Sequence, residues 1–82
     1  MSGGNVERID RVVDARGSFC PGPMMELIRA MRESRVGDVL AVLSTDTGSK
    51  TDIKAWAAKA RHEFLGVFPE EGYDRIVVRK AR

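Results

Sequence analysis

The only cysteine of the 82-residue chain lies in a run of proline and glycine that strongly constrains the local structure. Cys20 is followed by Pro21, Gly22 and Pro23. Proline suits the first turn of a helix, where backbone N–H groups have no partner within the helix. The residue before a proline is pushed toward extended backbone, which is also the backbone of an N-cap residue. The run therefore predicts a helix that starts at Pro21, with Cys20 at or next to its N-cap.

A cysteine at the start of a helix is expected to be reactive. The positive end of the helix dipole favours the thiolate, which is the nucleophile, and a thiol of low pKa is also a better leaving group. The N–H groups of Gly22 and Met24 are predicted to lie near the sulfur, and Arg16 is a candidate source of positive charge. Gly22 leaves room for another molecule. A lone cysteine is also often a small buried hydrophobic residue, and the residues alone leave both interpretations open.

The stretch around the cysteine resembles the signature of the TusA/SirA sulfur-carrier family. Five residues fit the pattern D-x-x-G-x-x-C-P-x-P: Asp14, Gly17, Cys20, Pro21 and Pro23. The similarity continues from about Ile9 to Lys80. It includes these further segments: Gly37-Asp38, Asp46, Asp52-Ile53, Trp56, His62-Glu63 and Arg75 to Lys80.

The sequence departs from the family pattern at two positions. Some members have a basic residue directly before the cysteine, where this chain has Phe19. Some have proline after the loop aspartate, where this chain has Thr47. Neither position is the nucleophile, and both bear on which partner docks.

The resemblance implies that Cys20 carries sulfur as a persulfide. The donors would be cysteine desulfurases or rhodanese-like proteins, and the acceptors thiol proteins of the DsrE/TusD type. These routes feed tRNA thiolation, molybdenum-cofactor assembly or sulfur oxidation. No cofactor, metal, membrane or direct nucleic-acid partner is implied, and a monomer is expected.

Other residues of the site are assigned supporting roles. Asp14 and Gly17 would shape the loop, and Pro21 and Pro23 would fix the direction of the sulfur. The candidate contacts with partner proteins are Phe19, Met25 and Asp46.

The pattern of apolar residues predicts the order β-α-β-α-β-β in a single domain over residues 1–82, with about 1–7 flexible. We expect an α/β (α+β) two-layer sandwich, with two helices packed on one face of a four-stranded mixed sheet. The predicted strands are Ile9 to Val13, Val39 to Leu43, a short edge strand at Val67-Phe68, and Tyr73 to Arg79. The predicted helices run from Pro21 to about Arg35, with an apolar face of Met24, Leu27, Ile28 and Met31, and from about Thr51 to Leu65. Gly37 and Gly66 are predicted to end the helices, and Ser49 and Asp52 to form a capping box.

Composition excludes several other classes of protein. One cysteine forms no internal disulfide, which suits a reducing compartment. The N-terminus has no apolar core typical of a signal peptide, and the longest apolar run, Val39 to Leu43, is too short to cross a bilayer. We therefore expect a cytoplasmic protein. A net charge of +2 is too small to indicate nucleic-acid binding, and one cysteine with one histidine cannot complete a metal site.

Two other functions remain open at the level of sequence. One is a free-standing sulfurtransferase that turns over thiosulfate without a partner protein. The other is a regulatory or binding module that meets RNA or protein through its basic end, Lys80 to Arg82, with Cys20 only structural.

Overall fold

The computed structural model of the chain describes residues 9–17 and 22–82. Its elements follow the predicted order: β1 (Arg11–Asp14), α1 (Gly22–Arg32), β2 (Val39–Ser44), α2 (Ser49–Ala60), β3 (Glu63–Glu70) and β4 (Tyr73–Arg79). β4 has the predicted bounds, whereas both helices end earlier than predicted and β3 is longer. The predicted flexible start, about 1–7, lies outside the described residues.

The four strands form one mixed sheet in the order β1-β2-β4-β3. β1 pairs with β2 in parallel, and β4 pairs antiparallel with both β2 and β3. Every residue of β2 except the half-buried Leu43 is buried. The continuous apolar run therefore forms a central strand, as predicted, because such a strand is covered on both faces.

Both helices lie on the same face of the sheet. Buried residues of α1 and α2 share one core with buried sheet residues: Leu27, Met31, Ile53, Ala57, Leu40, Val42, Ile76 and Val78. A smaller cluster on the opposite face contains Val39, Ala41 and Val77. Each fully buried leucine or isoleucine stabilises the fold by roughly 1.5–3 kcal/mol. The two-layer sandwich is confirmed.

α1 ends earlier in the sequence than predicted. The helix ends at Arg32 rather than near Arg35, and Gly37 is not its cap. Lys80 Nζ donates to the carbonyl oxygens of Met31 and Ser34, at 2.7 and 2.8 Å. These bonds hold Lys80 against the last turn of α1 and the turn that follows it, where the Met31 carbonyl also accepts the Ser34 N–H at 3.2 Å. Gly37 instead lies in the turn before β2, at φ 99°, and donates its N–H to the Lys80 carbonyl.

The buried stripe of α1 is rotated from the predicted one. Its buried residues are Pro23, Leu27, Ala30 and Met31. Met24 and Ile28, which were predicted to lie in the core, are only half-buried.

The predicted capping box at the start of α2 is wrong. The N-cap residue is Gly48, and no side chain caps the helix. Ser49 is the first helical residue and is fully buried, and its hydroxyl donates to Asp46 Oδ2 at 2.8 Å. The serine therefore stabilises the loop before the helix and not the helix end.

The predicted end of α2 at Gly66 is also wrong. The helix ends at Ala60, and Arg61 follows in left-handed backbone at φ 64°. After His62, the eight residues Glu63–Glu70 form β3, which pairs along β4, with an irregularity between Phe64 and Gly66. Aromatic and branched residues favour strands, and this pairing outweighs the prediction that the helix continues to Leu65.

His62 is half-buried between α2 and the C-terminal residues. Its Nδ1 accepts the N–H of Ala81 at 3.1 Å, and its ring centroid lies 5.3 Å from that of Trp56. Burial lowers the pKa of His62 below its ordinary value of 6.5, and the charges of Lys80 and Arg82 lower it further.

This lowered pKa predicts a loss of stability in mild acid. As the pH falls through 6.5, the unfolded chain binds a proton at His62 more readily than the folded chain does. The stability present above that pH is therefore lost progressively toward the folded pKa. A His62→Gln variant keeps a side-chain acceptor for Ala81 but does not titrate. We expect it to lose less unfolding free energy than the wild type between about pH 7 and 5, measured by urea unfolding. If the unfolding free energies of the two proteins changed equally with pH, this prediction would be wrong.

Within residues 9–17 and 22–82, no helix has the length and apolar character needed to cross a bilayer.

Candidate functional site

The segment that carries the cysteine connects the end of β1 to the start of α1. The strand ends at Asp14, and α1 begins at Gly22, two positions after Cys20 in the sequence. The predictions for Phe19, Cys20 and Pro21 fall outside the described residues. The geometry of the site is therefore built from the residues on each side.

The first turn of α1 offers backbone donors and no acidic side chain. The N–H groups of Gly22 and Met24 have no acceptor within the helix, because a helix leaves the amides of its first three residues unpaired and Pro23 has no N–H. Pro23 donates no hydrogen bond, fits the first turn, and is fully buried, which fixes the helix start against the core. No acidic residue lies in this turn, so the positive end of the helix is not neutralised by its own side chains.

Asp14 and Arg16 form a two-point ion pair at the end of β1. Arg16 Nε donates to Asp14 Oδ1 at 2.9 Å, and Nη2 donates to Oδ2 at 2.7 Å. The Arg16 backbone N–H also donates to Oδ1, at 3.1 Å. These bonds hold the pKa of Asp14 at about 2, below its ordinary value. The guanidinium also lies over the ring of Tyr73, 5.0 Å from its centroid. Arg16 is thus committed to Asp14 and is not an isolated cation.

Gly17 lies in the turn that follows β1. Its φ is 90°, in the region that favours glycine, and an added Cβ would meet no atom of the described residues within 4 Å. Backbone conformation therefore favours glycine here, whereas no described neighbour restricts the space. Its N–H donates to the Thr45 hydroxyl oxygen at 3.1 Å.

The loop between β2 and α2 lies beside this turn. Asp46, a predicted partner contact, is half-buried, and its carboxylate accepts a hydrogen bond from Ser49. Asp46 therefore builds the loop, whatever else it contacts. Sequence reasoning missed Thr45 and Tyr73. The contact of Thr45 with Gly17 could be predicted only from the parallel register of β1 and β2. No feature of the sequence predicts the contact of Tyr73 with Arg16.

Met25 is the predicted partner contact that the structure places on the surface. Its residue is 57% exposed, on the side of α1 that faces away from the sheet. It lines a surface concavity with Glu26, Ile28, Arg29 and Arg32. An exposed methionine beside arginines is a suitable docking surface for a protein.

Metal binding finds no support among residues 9–17 and 22–82, where no three His, Cys, Asp or Glu side chains are grouped closely enough to hold an ion.

Comparison with known proteins identifies the family. The sequence profile of the family described as Sulfurtransferase TusA matches residues 11–80. The chain belongs to the TusA family. The match spans β1 through β4 and includes the segment that carries Cys20.

Two relatives from this family match most of the chain. One is a protein of Archaeoglobus fulgidus that is named as a sulfur carrier protein. It is 54% identical over 71 residues, which cover 87% of this chain and 97% of the relative. The sulfur carrier protein TusA of Pseudomonas entomophila is 38% identical over 71 residues, covering 87% of this chain and 89% of the relative.

A solved structure has the same fold. The crystal structure of the SirA-like protein from Desulfitobacterium hafniense superposes with a TM-score of 0.77. The match covers 88% of this chain and 99% of that one, at 20% sequence identity. The predicted resemblance to TusA and SirA-like proteins is confirmed.

The ion pair at the end of β1 gives a direct test. Replacing Arg16 by glutamine removes the charge and the two-point contact, so the pKa of Asp14 should rise from about 2 toward its ordinary value. Carboxyl ¹³C chemical shifts followed through a pH titration would measure it. Because the folded pKa is lowered, the stabilisation from this pair is present above about pH 4 and is lost as the pH falls toward 2.

The matched control is Arg11→Gln, which breaks the ion pair between Arg11 and Glu33 instead. It should leave the titration of Asp14 unchanged. An Asp14 pKa that stays near 2 in the Arg16→Gln protein would show that another group holds the carboxylate ionised.

Proposed function

We propose that this protein is a sulfur carrier that holds a sulfane sulfur as a persulfide on Cys20. The observation that carries the proposal is the start of α1, two positions after the chain's only cysteine, with backbone amides that have no partner within the helix and no acidic side chain in its first turn. Membership of the TusA family and the names of the two relatives support it.

In the proposed loading step, one sulfur atom passes from a donor persulfide to the Cys20 thiolate. The Cys20 thiolate attacks the terminal sulfur of a donor persulfide, R–S–SH. A new S–S bond forms to Cys20 as the donor's S–S bond breaks, and the donor leaves as the thiolate R–S⁻. The proton stays on the transferred sulfur, which gives Cys20–S–SH. The step is balanced and needs no external oxidant or reductant.

The release step is the same exchange in reverse. An acceptor thiolate attacks the terminal sulfur and takes it, and Cys20 leaves as a thiolate. A carrier therefore needs a cysteine that is both an accessible nucleophile and a good leaving group. The positive end of α1 favours the anion in both roles.

Residues on both sides of the cysteine fix the two elements that the segment carrying it connects. The Asp14–Arg16 pair and the Gly17–Thr45 bond fix the end of β1, while buried Pro23 fixes the start of α1. The proposed role of Pro21, with Pro23, is to direct the sulfur outward.

The partners would be proteins on both sides of the transfer. We propose a cysteine desulfurase or rhodanese-like donor and a DsrE/TusD-like thiol acceptor, met in a reducing compartment such as the cytoplasm. Exposed Met25, with Arg29, Arg32 and Glu26, offers a surface with one apolar, two basic and one acidic side chain for such contacts. Phe19 and Asp46 are the further proposed contacts. Delivery to tRNA thiolation, molybdenum-cofactor assembly or sulfur oxidation depends on which acceptor docks.

Intact-protein mass spectrometry tests the loading step. The reduced wild type is incubated with a cysteine desulfurase and cysteine, and separately with thiosulfate or polysulfide. We expect the mass of at least one added sulfur atom, removed by reductant, because Cys20 is the only thiol that can form a persulfide.

Cys20→Ser is the matched control and should gain no sulfur from any donor. An adduct on both proteins would place the sulfur elsewhere. If no donor loads the wild type although its thiol reacts with alkylating agents, the carrier proposal fails in favour of a binding module. Steady-state turnover of thiosulfate without a partner protein would instead indicate a free-standing enzyme.

A further inference from the structure

A cavity lined by basic and apolar side chains lies between α1, α2 and the C-terminal residues. Its volume is about 220 Å³. Three lining residues are apolar: Met31 is buried, and Ile28 and Trp56 are half-buried. The other four are basic: Arg32, His62, Lys80 and Arg82. None of the described residues that line this basic cavity is acidic.

Two of these cations have no ion pair of their own. The ion pairs within residues 9–17 and 22–82 involve five other cations: Arg11, Arg16, Lys50, Arg75 and Arg79. No described carboxylate forms such a pair with Arg32 or Arg82, and both residues are exposed. The net charge of the chain is only +2, so the basic cavity is a marked local excess of positive charge.

The ends of the two helices offset only part of this charge. α1 ends at Arg32, and α2 ends two residues before His62. The C-terminal end of a helix carries about half a negative charge. Lys80 Nζ donates to two carbonyl oxygens at and just after the end of α1, so its charge lies against that helix end. The charges of Arg32 and Arg82 remain available to a ligand.

His62 is already affected by this excess of positive charge. Burial lowers its pKa most, and the charges of Lys80 and Arg82 lower it further. Its Nδ1 accepts the Ala81 N–H, so the neutral ring carries its proton on Nε2 and has a hydrogen-bond donor there. A bound anion would oppose the two positive charges and could accept this hydrogen bond.

The size and lining of the basic cavity define the class of ligand. Sites for drug-sized molecules measure roughly 300–1,000 Å³, so this cavity suits a smaller molecule. An inorganic anion would pair with the basic groups but leave the apolar lining in water, and a neutral molecule would leave the cations unpaired. A carboxylate with a compact apolar body satisfies both parts, because arginine binds a carboxylate through two parallel hydrogen bonds.

We infer that the basic cavity binds a small organic carboxylate. Its charged group contacts Arg32 and Arg82, and its apolar body packs against Ile28, Met31 and Trp56. No residue between Gly17 and Gly22 is needed for this binding. The inference therefore does not depend on the proposed sulfur chemistry, and either can fail without the other.

Trp56 and His62 are the only tryptophan and the only histidine of the chain, so each gives a signal specific to the cavity. The first test is a titration of the full chain with sodium benzoate at low, constant ionic strength, followed by Trp56 fluorescence. We expect a saturable change with half-saturation at about 1 mM. The absence of a saturable change would overturn the inference.

Two matched compounds test the ligand class. Benzamide has the shape of benzoate without its charge, and sulfate has the charge without an apolar body. We expect each to need a concentration at least about 10-fold higher than benzoate for the same change in fluorescence. If either compound bound as tightly as benzoate, the assignment to organic carboxylates would be wrong.

The second test is the titration of His62, followed by the NMR signals of its ring. Benzoate should raise the pKa of His62 by a few tenths to about one unit, because a nearby negative charge stabilises the imidazolium. The other charged groups that line the cavity, Arg32, Lys80 and Arg82, stay protonated throughout this pH range. If the pKa did not change when the fluorescence signal is saturated, the anion would lie elsewhere and the inference would be wrong.

Variants locate the carboxylate. Arg32→Gln and Arg82→Gln should each weaken benzoate binding about 3–10-fold, because each removes one charge-assisted contact. Arg35→Gln is the matched control, since Arg35 is exposed, lies three residues beyond Arg32 and does not line the cavity. It should bind benzoate as the wild type does. Circular dichroism and urea unfolding would check that each variant folds.

A final variant tests a neighbouring concavity that could give the same fluorescence signal. Trp56 also lines that concavity, together with Lys59. Lys59→Gln should leave benzoate binding unchanged. If Lys59→Gln weakened binding and Arg82→Gln did not, benzoate would occupy the neighbouring concavity and the inference would be overturned.

Discussion

The parallel pairing of β1 with β2 is the constraint on which the rest of the site depends. Parallel strands end at the same edge of a sheet, so the end of β1 and the loop after β2 come together. Buried β2 is hydrogen-bonded to β1 on one side and to β4 on the other, so the strand ends at this edge are held rigidly. The Gly17–Thr45 bond joins the two chain segments there, and α1 begins only five residues after Gly17.

Two ion pairs lie near this edge, and the charges within each pair oppose one another. The partial positive charge at the first turn of α1 is therefore important for the site. Arg16 is matched by Asp14, and Lys50 Nζ lies 3.5 Å from Asp74 Oδ2. Exposed pairs of this kind stabilise a fold weakly, so they serve mainly to shape the loop and the strand end. The helix dipole and the first-turn amides that have no partner within the helix act in addition to them, without an acidic side chain in that turn.

The sequence predicts the architecture well because its strongest signals agree with one another. The apolar run of β2 and the prolines around the start of α1 each mark an element that is present. Helix ends were predicted less well, because distant contacts decide them. Lys80 closes α1 from the far end of the chain, and pairing with β4 draws Phe64 into a strand. Cys20 is proposed as the site from motif and spacing, whereas the contacts of Thr45 and Tyr73 depend on register and packing, which local sequence does not encode.

The measurement that most directly tests the carrier function is relay of the sulfur. Wild-type protein loaded with persulfide and freed of its donor is mixed with reduced acceptor proteins of the DsrE/TusD type, and both masses are followed with time. The account predicts that Cys20 loses one sulfur atom as an acceptor thiol gains one, and that the carrier can then be loaded again. Sulfur that stays on Cys20, or leaves as free sulfide while no acceptor gains mass, would contradict it.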